Sequence, residues 1–342
     1  MRGPSIHPCD ELPSSIHDTL KLDQHCLEYI KTMYDTDVSS YRGKGFHGSV
    51  YALIDKDTAN STVAVKILRF DTAEQQLKGK MELRIACQMN GLSNDTSVFM
   101  RTFGWLVCDN LPGIWNVIGA EVYLLIFVEK FNYTFDTTEF TFSDDDMSAF
   151  LFLMLHGLYV ARNEYGFFHN DIKLKNLMLS IVGTPTGDNV REQQVYIDDV
   201  EYTVSLRRGL IPKFIDFGES QTVKTQGSYY TPFQSDVDVL LRVFENMSTI
   251  DIPELKRELQ HYDVYGHDIG EQQNFARFLR RSKVFNNVRS IVREPFTKRA
   301  KWKSVETCVL CPLEAKFRWK GNSEGYCSKL CANKVKNMVL VL

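Results

Sequence analysis

The chain has 342 residues, of which 44% are hydrophobic and 24% are charged, a composition that is typical of globular proteins and excludes disordered and fibrous classes. It has no run of 18 or more uncharged apolar residues, so we expect no membrane-spanning helix. The net charge of −3 combines +11 from residue 280 onward (15 Lys and Arg, 4 Asp and Glu) with −14 before it. We therefore expect the residues from 280 onward to favour acidic partners: nucleic acid, an acidic protein surface or anionic lipid.

The residues at the N-terminus lead to an expectation about the compartment of the protein. Its first residues, MRGPSIHPCDELPSS, lack the apolar core of a secretory signal, so we expect an intracellular protein, cytoplasmic or nuclear. Thiols stay reduced in those compartments. The sequence therefore predicts that Cys9, Cys26, Cys87 and Cys108 are free.

Residues 1–38 are interpreted as an N-terminal extension, and apolar spacing within it predicts a short helix over residues 18–34. The runs SVYALI and TVAVKIL, joined by a polar turn, predict a β-hairpin. Apolar residues at spacings of four predict a helix over residues 73–89, and EVYLLIFV predicts a later strand. Residues 39–130 thus form a β-rich part with one helix.

Residues 131–300 are predicted to be more helical. The acidic stretch SDDD begins at Ser143 and predicts a capped helix start, with the helix running to about Tyr165. Residues 182–212 alternate polar turns with VYID and EYTV, which predicts an inserted hairpin. The order of elements predicts an α+β fold with two unlike lobes around a cleft.

The first stretch whose residues suggest a functional site is YRGKGFHGSVY. Gly43, Gly45 and Gly48 stand in G-x-G-x-x-G-x-V spacing, and glycines allow backbone N–H groups to approach phosphate oxygens. A strand rather than a helix follows, unlike the dinucleotide-binding turn. The alternative interpretation is an ordinary hairpin turn.

The second stretch, VAVKI, places Lys66 on the next predicted strand, 18 residues after Gly48. Its ammonium can reach a cleft and bind phosphate, and Glu82 on the predicted helix is an available acidic partner. The alternative is an edge lysine whose stem packs on the sheet and whose ammonium stays in water.

Two further stretches, FFHNDIKLKNLMLS and PKFIDFGES, contain Asp171, Lys173, Asn176 and Asp216. Phosphoryl transfer requires Mg²⁺ on the phosphate oxygens, a lysine on the phosphates and a carboxylate that aligns the acceptor hydroxyl. These residues offer suitable groups, although each one alone could be an ordinary turn residue.

The four motifs occur in the order found in the protein kinase superfamily, and residues 41–293 resemble a eukaryotic-type Ser/Thr protein kinase. The inserted hairpin and the LLIFVEKF stretch are similar to haspin-like kinases and to kinases of large DNA viruses. The resemblance implies a bilobal kinase fold, with an N-lobe over residues 39–130 and a C-lobe over residues 131–300.

The resemblance also implies roles for individual residues. Asp171 is expected to be the catalytic base, and Lys173 is expected to steady the γ-phosphate of ATP. Asn176 and Asp216 are expected to hold Mg²⁺. His169 is expected to be a structural imidazole rather than a general base.

For the nucleotide, the resemblance implies that Lys66, paired with Glu82, binds the α and β phosphates of ATP. The hinge between the lobes is expected to begin at Glu129. The expected ATP-binding set is Gly43, Lys44, Gly45, Phe46, Gly48, Val50, Ala64, Lys66, Glu129 and Phe131.

Three features depart from the family pattern. Asn170 replaces the arginine that pairs with a phosphorylated activation loop, which implies a different mode of regulation. Asn176 and Asp216 lie 40 residues apart, because of the inserted hairpin. No A-P-E follows Asp216, and either Asp236 or Asp238 is expected to act as the structural aspartate of the next helix.

Because of these departures, the sequence does not identify the molecule that receives the phosphate. The expected function is transfer of the γ-phosphate of Mg-ATP to Ser or Thr of protein substrates. The alternatives are a pseudokinase scaffold that recruits partners through its C-terminal segment, and a kinase that acts on a small molecule or nucleic acid.

The C-terminal segment, residues 301–342, has two close cysteine pairs. Cys308, Cys311, Cys327 and Cys331 have a spacing that lets four thiolates converge on structural Zn²⁺, and GYCSKLC resembles a treble-clef zinc finger. Free cysteines or disulfides are the alternative. Basic and aromatic residues surround these cysteines, which favours contact with nucleic acid or docking of a protein.

Overall fold

The computed structural model divides the chain into two compact units, residues 1–293 and residues 294–342. It describes residues 6–13, 15, 18–23, 25–44, 48–59, 61–109, 111, 121–131, 133–135, 142–181, 190–198, 200–222, 234–262, 264, 270–293, 317–318 and 325–326.

The first half of the larger unit contains an antiparallel five-stranded sheet in the order β1-β2-β3-β5-β4. Its strands are β1 (Tyr34–Lys44), β2 (Gly48–Asp55), β3 (Val63–Arg69), β4 (Thr102–Asp109) and β5 (Val122–Glu129). Strand β1 begins within the segment that the sequence assigns to the extension.

Both faces of this sheet are covered, because its strands alternate large apolar residues on the two sides. One face packs on helix α1 (Cys26–Met33), where Ile30 is fully buried. The other packs on helix α2 (Ala73–Asn90), where Leu83 is fully buried. Helix α1 is shorter than the predicted helix over residues 18–34, whereas α2 confirms the helix predicted over residues 73–89.

Helix α2 begins at a capping box. The side chain of Thr72 accepts a hydrogen bond from the Gln75 amide, and the Gln75 side chain accepts one from the Thr72 amide, both at 3.2 Å. Two of the helix's four unpaired amide donors are satisfied in this way. The box fixes the start of the helix and therefore the position of every residue along it.

The second half is organised around helix α3 (Asp144–Tyr165), which is buried along most of its length. Ser143 and Asp146 form a capping box at its start, and Gly166 ends it with a φ of 62°, so the predicted helix is confirmed. Around it lie α4 (Gln234–Glu245), α5 (Ile252–His261) and α6 (Gly270–Arg281).

The second half also contains short paired strands, and the loops of this half connect them. Strand β8 (Leu177–Ile181) pairs with β6 (Tyr133–Thr134) and β11 (Leu210–Phe214), and β7 (Phe167–Phe168) pairs with β12 (Gln221–Thr222). The predicted hairpin is confirmed as β9 (Arg191–Ile197) and β10 (Val200–Leu206), to which β13 (Arg289–Arg293) is added.

The larger unit therefore belongs to the mixed α+β class. In the smaller unit, the described residues form one antiparallel pair, β14 (Phe317–Arg318) with β15 (Gly325–Tyr326). Among the helices of the described residues, none has both the length and the apolarity needed to cross a bilayer.

The prediction of four free N-terminal cysteines is wrong. Cys9 is bonded to Cys87, and Cys26 is bonded to Cys108. The partners are 78 and 82 residues apart in sequence, and they meet because the N-terminal segment returns to the sheet. Sequence spacing carries no information about such a return.

His156 on α3 gives the fold a pH dependence outside the site. Its Nε2 donates to the Tyr196 carbonyl at 3.0 Å, while its Nδ1 has no hydrogen-bond partner within the described structure. Burial lowers the pKa of His156 to about 4. In the unfolded chain, His156 binds a proton near pH 6.5, whereas in the folded chain it does so only near pH 4. The contribution of neutral His156 to the free energy of unfolding is therefore fully present above pH 6.5 and is lost as the pH falls toward 4.

We expect His156→Gln, which keeps a donor for the Tyr196 carbonyl, to lose about 2 kcal/mol less free energy of unfolding than the native chain between pH 7 and pH 5. Urea unfolding at the two pH values measures this difference. The matched control is His261→Gln on the exposed surface. Equal losses in the native chain and His156→Gln would contradict the assignment.

Candidate functional site

The centre of the site is the ammonium group of Lys66. Its Nζ donates to Glu82 Oε1 at 2.5 Å and to Asp216 Oδ1 at 2.6 Å. Lys66 comes from β3, Glu82 from α2, and Asp216 from the segment after β11. Lys66 and Glu82 are only 9% and 6% exposed, so the cation is shielded from water by the groups that neutralise it.

The charges in this group support one another. Burial by itself lowers the pKa of Lys66, but the carboxylates of Glu82 and Asp216 outweigh burial and raise this pKa above its ordinary value. Burial tends to raise the pKa of Asp216, yet the Lys66 ammonium holds this pKa below its usual range. One ammonium thus faces two carboxylates, which leaves an excess of negative charge.

A second group lies on the loop that follows β7. The Asp171 carboxylate contacts the Lys173 ammonium and accepts a hydrogen bond from Asn176 Nδ2 at 2.9 Å. The same amide nitrogen donates to the Asp171 backbone carbonyl at 2.9 Å. Lys173 and Asn176 thus both contact Oδ2 of Asp171, which restrains the orientation of its side chain.

Hydrogen bonds join this loop to the segment that carries Asp216. His169 Nε2 donates to the Ile215 carbonyl at 3.1 Å, and the Ile215 amide donates to the Asn176 carbonyl at 3.1 Å. Ser220 Oγ donates to the His169 carbonyl at 3.0 Å. Burial lowers the pKa of His169, which suits a neutral imidazole that holds backbone in place.

Asp236 holds the loop that follows β7 through two hydrogen bonds to its backbone. Its carboxylate accepts from the His169 amide at 2.7 Å and from the Asn170 amide at 3.0 Å. Asp236 is only 3% exposed, and burial raises its pKa. The sequence offered Asp236 or Asp238 for this structural position, and Asp236 accepts two hydrogen bonds from the loop.

Asn170 adds a contact that the sequence did not predict. It has a φ of 61°, and its Nδ2 donates to the Glu219 carbonyl at 3.1 Å. Asp216 has a φ of 64°. Asn and Asp adopt this left-handed region more readily than other non-glycine residues, so both residue types suit the backbone that places the two segments together.

The glycine-rich stretch includes the end of β1 and the start of β2. Gly43 pairs with Val50, and Lys44 pairs with Ser49. A Cβ on Gly48 would lie 2.3 Å from the Ile67 carbonyl oxygen, so Gly48 is required by the close approach of β2 and β3. The predicted residues Gly45 and Phe46 lie outside the described residues.

The other predicted nucleotide residues lie on the same sheet. Val50 pairs with Lys66 across β2 and β3, and Ala64 pairs with Val128 across β3 and β5. Paired residues share one face of a sheet, so Val50 lies on the same face as Lys66. Ala64 lies two residues before Lys66 on β3, and alternate residues of a strand also share a face.

Glu129 ends β5, and its carboxylate has other partners. It accepts from Ser180 Oγ at 2.8 Å and lies 3.3 Å from Lys213 Nζ. Burial lowers the pKa of Lys213. These contacts join the end of β5 to β8 and β11. The Glu129 amide donates to the Arg101 carbonyl at 2.8 Å, so both the side chain and the amide of Glu129 are bonded within the fold, and Phe131 is half-buried. Sequence reasoning gave no role to Ser180 and Lys213, although they lie in the stretches FFHNDIKLKNLMLS and PKFIDFGES.

The predicted zinc ligands, Cys308, Cys311, Cys327 and Cys331, lie outside the described residues. The pair β14 and β15 falls between the two cysteine pairs in sequence. Within the described ranges, no group of three or more metal-binding side chains forms a further cluster.

The chain was compared with known proteins. No family model matches it, and no curated protein matches it either. The residues and geometry of the site therefore carry the functional argument.

We expect Asn170→Ala to lower the free energy of unfolding by about 1–2 kcal/mol, because it loses both the left-handed preference and the hydrogen bond to the Glu219 carbonyl. Asn170→Gly removes the same amide but keeps backbone freedom, so it should cost about half as much. Urea unfolding of both variants measures these values. A free energy of unfolding in Asn170→Ala equal to that of the native chain would contradict the stabilising role of the Asn170–Glu219 hydrogen bond.

Proposed function

We propose that the chain is an ATP-dependent protein kinase with a bilobal kinase fold, and that it transfers the γ-phosphate of Mg-ATP to Ser or Thr hydroxyls. The observation that carries this proposal is the Lys66 ammonium between Glu82 and Asp216, at 2.5 and 2.6 Å. The three residues come from separated elements, and a loop with a fixed carboxylate, Asp171, is hydrogen-bonded to the same region.

The arrangement suits phosphate binding. Lys66 would place its ammonium against the α and β phosphates of ATP, and Glu82 would hold the lysine side chain in position. Lys173 would place a second ammonium toward the γ-phosphate. The sheet face with Val50 and Ala64 would pack on the adenine ring, and the backbone after Glu129 would bind its polar edge.

Asp171 would act on the acceptor. Its carboxylate would orient the attacking hydroxyl and accept the hydroxyl proton as the new bond to phosphorus forms. The Asn176 amide fixes one oxygen of this carboxylate at 2.9 Å. Precise placement of the acceptor supplies much of the rate in phosphoryl transfer.

Asn176 and Asp216 fit Mg²⁺, since this ion prefers carboxylate and amide oxygens. The excess of carboxylates around Lys66 also favours an added cation. The metal would neutralise charge on the phosphate oxygens. Asn176 and Asp216 are held near each other because the Ile215 amide bonds the Asn176 carbonyl at 3.1 Å.

With γ-labelled ATP and Mg²⁺, the native chain is expected to label protein substrates in a cell lysate. Asp171→Asn and Lys66→Met should each reduce labelling by about a hundredfold or more, because they remove the base and the phosphate ligand. The matched control is Asp57→Asn in an exposed turn, which should label normally. Circular dichroism of each variant checks that it is folded.

The other outcomes of this assay are equally informative. Labelling that is absent in the native chain and all variants would favour the scaffold over the enzyme. Label that enters nucleic acid or small molecules, but no protein, would favour a non-protein acceptor. Label in protein that persists in Asp171→Asn would overturn the assignment of the base.

For the smaller unit we propose a structural Zn²⁺ site formed by Cys308, Cys311, Cys327 and Cys331. Four thiolates are the ligand set that Zn²⁺ prefers in structural sites. The short antiparallel pair between the two cysteine pairs supports the proposal, because a hairpin of this kind brings the flanking residues together. A segment this short gains its stability from the metal.

We expect the purified chain to contain about one equivalent of zinc by elemental analysis. Cys308→Ser combined with Cys327→Ser should remove it, because two of the four ligands are lost. Cys9→Ser, which lies far outside the segment in sequence, is the matched control and should keep the metal. A zinc content well below one equivalent in the native chain would overturn this proposal.

A further inference from the structure

The N-terminal segment, defined here as residues 6–34, extends the edge of the five-stranded sheet. Strand β4 is an edge strand, and His7 exchanges two backbone hydrogen bonds with Trp105 on it, at 3.0 and 2.9 Å. The Asp23 amide donates to the Val107 carbonyl at 2.8 Å. The segment thereby satisfies backbone groups that an edge strand otherwise leaves unpaired.

The edge strand is shaped for this segment. A Cβ on Gly104 would lie 2.4 Å from the His7 carbonyl oxygen and 2.4 Å from a methyl group of Ile6. The His7 ring stacks on Trp105 with centroids 4.5 Å apart, and His7 Nε2 lies 2.8 Å from Asp23 Oδ1. The position at 104 thus admits the segment only because it lacks a side chain.

The same segment holds helix α2 from outside. Lys80 Nζ donates to the Asp18 carbonyl at 2.8 Å, and Arg84 Nη2 donates to the Pro13 carbonyl at 2.8 Å. Cys87 is bonded to Cys9. Residues 80, 84 and 87 share one face of a helix, and Glu82 lies on the opposite face.

The two disulfides differ in accessibility. Cys26 and Cys108 are 2% and 0% exposed, whereas Cys9 and Cys87 are both half-buried. Accessible disulfides are open to thiol–disulfide exchange, and buried ones are protected from it. A reductant would therefore reach the bond to helix α2 first.

We propose that the Cys9–Cys87 disulfide is a redox-controlled clasp that holds helix α2, and hence Glu82, in the position that pairs with Lys66. The consequence for activity rests on the proposed kinase function. The Cys26–Cys108 disulfide is a permanent link between helix α1 and the sheet.

Opening of the clasp uses a dithiol reductant. One thiolate of the dithiol attacks a sulfur of the disulfide, and the other cysteine leaves as a thiolate. The second thiol of the reductant then displaces the first cysteine and forms its own disulfide. Two electrons and two protons pass from the dithiol to Cys9 and Cys87.

Once the clasp is open, α2 loses its covalent link to the segment and keeps non-covalent ones, among them the hydrogen bonds from Lys80, Arg84 and Asn90. The helix is then less restrained and Glu82 leaves Lys66 more often. We expect amide hydrogen exchange in residues 73–90 to accelerate at least tenfold and the turnover number to fall at least fivefold. Exchange in helix α3 should not change, because the hydrogen bonds and the disulfide that hold the clasp go to β4 and α2.

The experiment uses the full chain, purified without reductant after its free thiols are alkylated. Peptide mapping by mass spectrometry measures the Cys9–Cys87 bond during titration with dithiothreitol. Hydrogen exchange and phosphate transfer are measured at each point. Cys9→Ser and Cys87→Ser should behave like the reduced protein and lose the redox response, whereas Cys26→Ala with Cys108→Ala should keep it.

Several results overturn the clasp: Cys9 and Cys87 alkylated in the purified chain, a confirmed reduction that changes neither exchange nor turnover, or a response that depends on Cys26 and Cys108 instead. If no redox state shows phosphate transfer, exchange in α2 still decides the clasp. In that case faster exchange on reduction supports the clasp, while the kinase proposal fails separately.

Discussion

One buried ammonium group links three distant parts of this protein. Lys66 is shielded from water and is stabilised only because Glu82 and Asp216 reach it at 2.5 and 2.6 Å. A buried charge that loses its partners is strongly destabilising, so the elements that supply those partners must be placed accurately. The capping box at the start of α2, the register of β3 in the sheet and the left-handed backbone of Asp216 all serve this placement.

The loop with Asp171 is held by a different kind of interaction. Backbone groups of residues 169, 170, 176 and 215 are bonded by buried side chains and by one another, and Asn170 reaches the Glu219 carbonyl directly. Neutral hydrogen bonds of this kind contribute about 1 kcal/mol each, but together they restrict the loop to one conformation. The segment after Asp216 is thus attached to the loop by contacts between residues already in the chain. Asn170 thus makes this attachment without the arginine that occupies this position in the kinases that the sequence resembles.

The N-terminal segment is part of the sheet and not an appendage to it. It pairs with the edge strand β4, covers one face of α2 and is bonded through Cys9 and Cys26. Helix α2 is therefore held between the sheet on one side and the segment on the other, with Glu82 on the face away from the segment. This position is the physical basis of the proposed link between the Cys9–Cys87 disulfide and Glu82. It also explains why Gly104, which has no role in any motif, must be small.

The sequence by itself determined the local features. Helices α2 and α3, the inserted hairpin, the α+β class and the motif residues Lys66, Glu82, Asp171, Asn176 and Asp216 follow from periodicity, capping residues and spacing, because these depend on neighbours along the chain. Tertiary structure alone placed Asp236 against the loop, paired Cys9, Cys26, Cys87 and Cys108, which were expected to be free, and placed Ser180 and Lys213 against Glu129. Each of these depends on residues far apart in sequence that meet only when the elements pack, and no local pattern records such a contact.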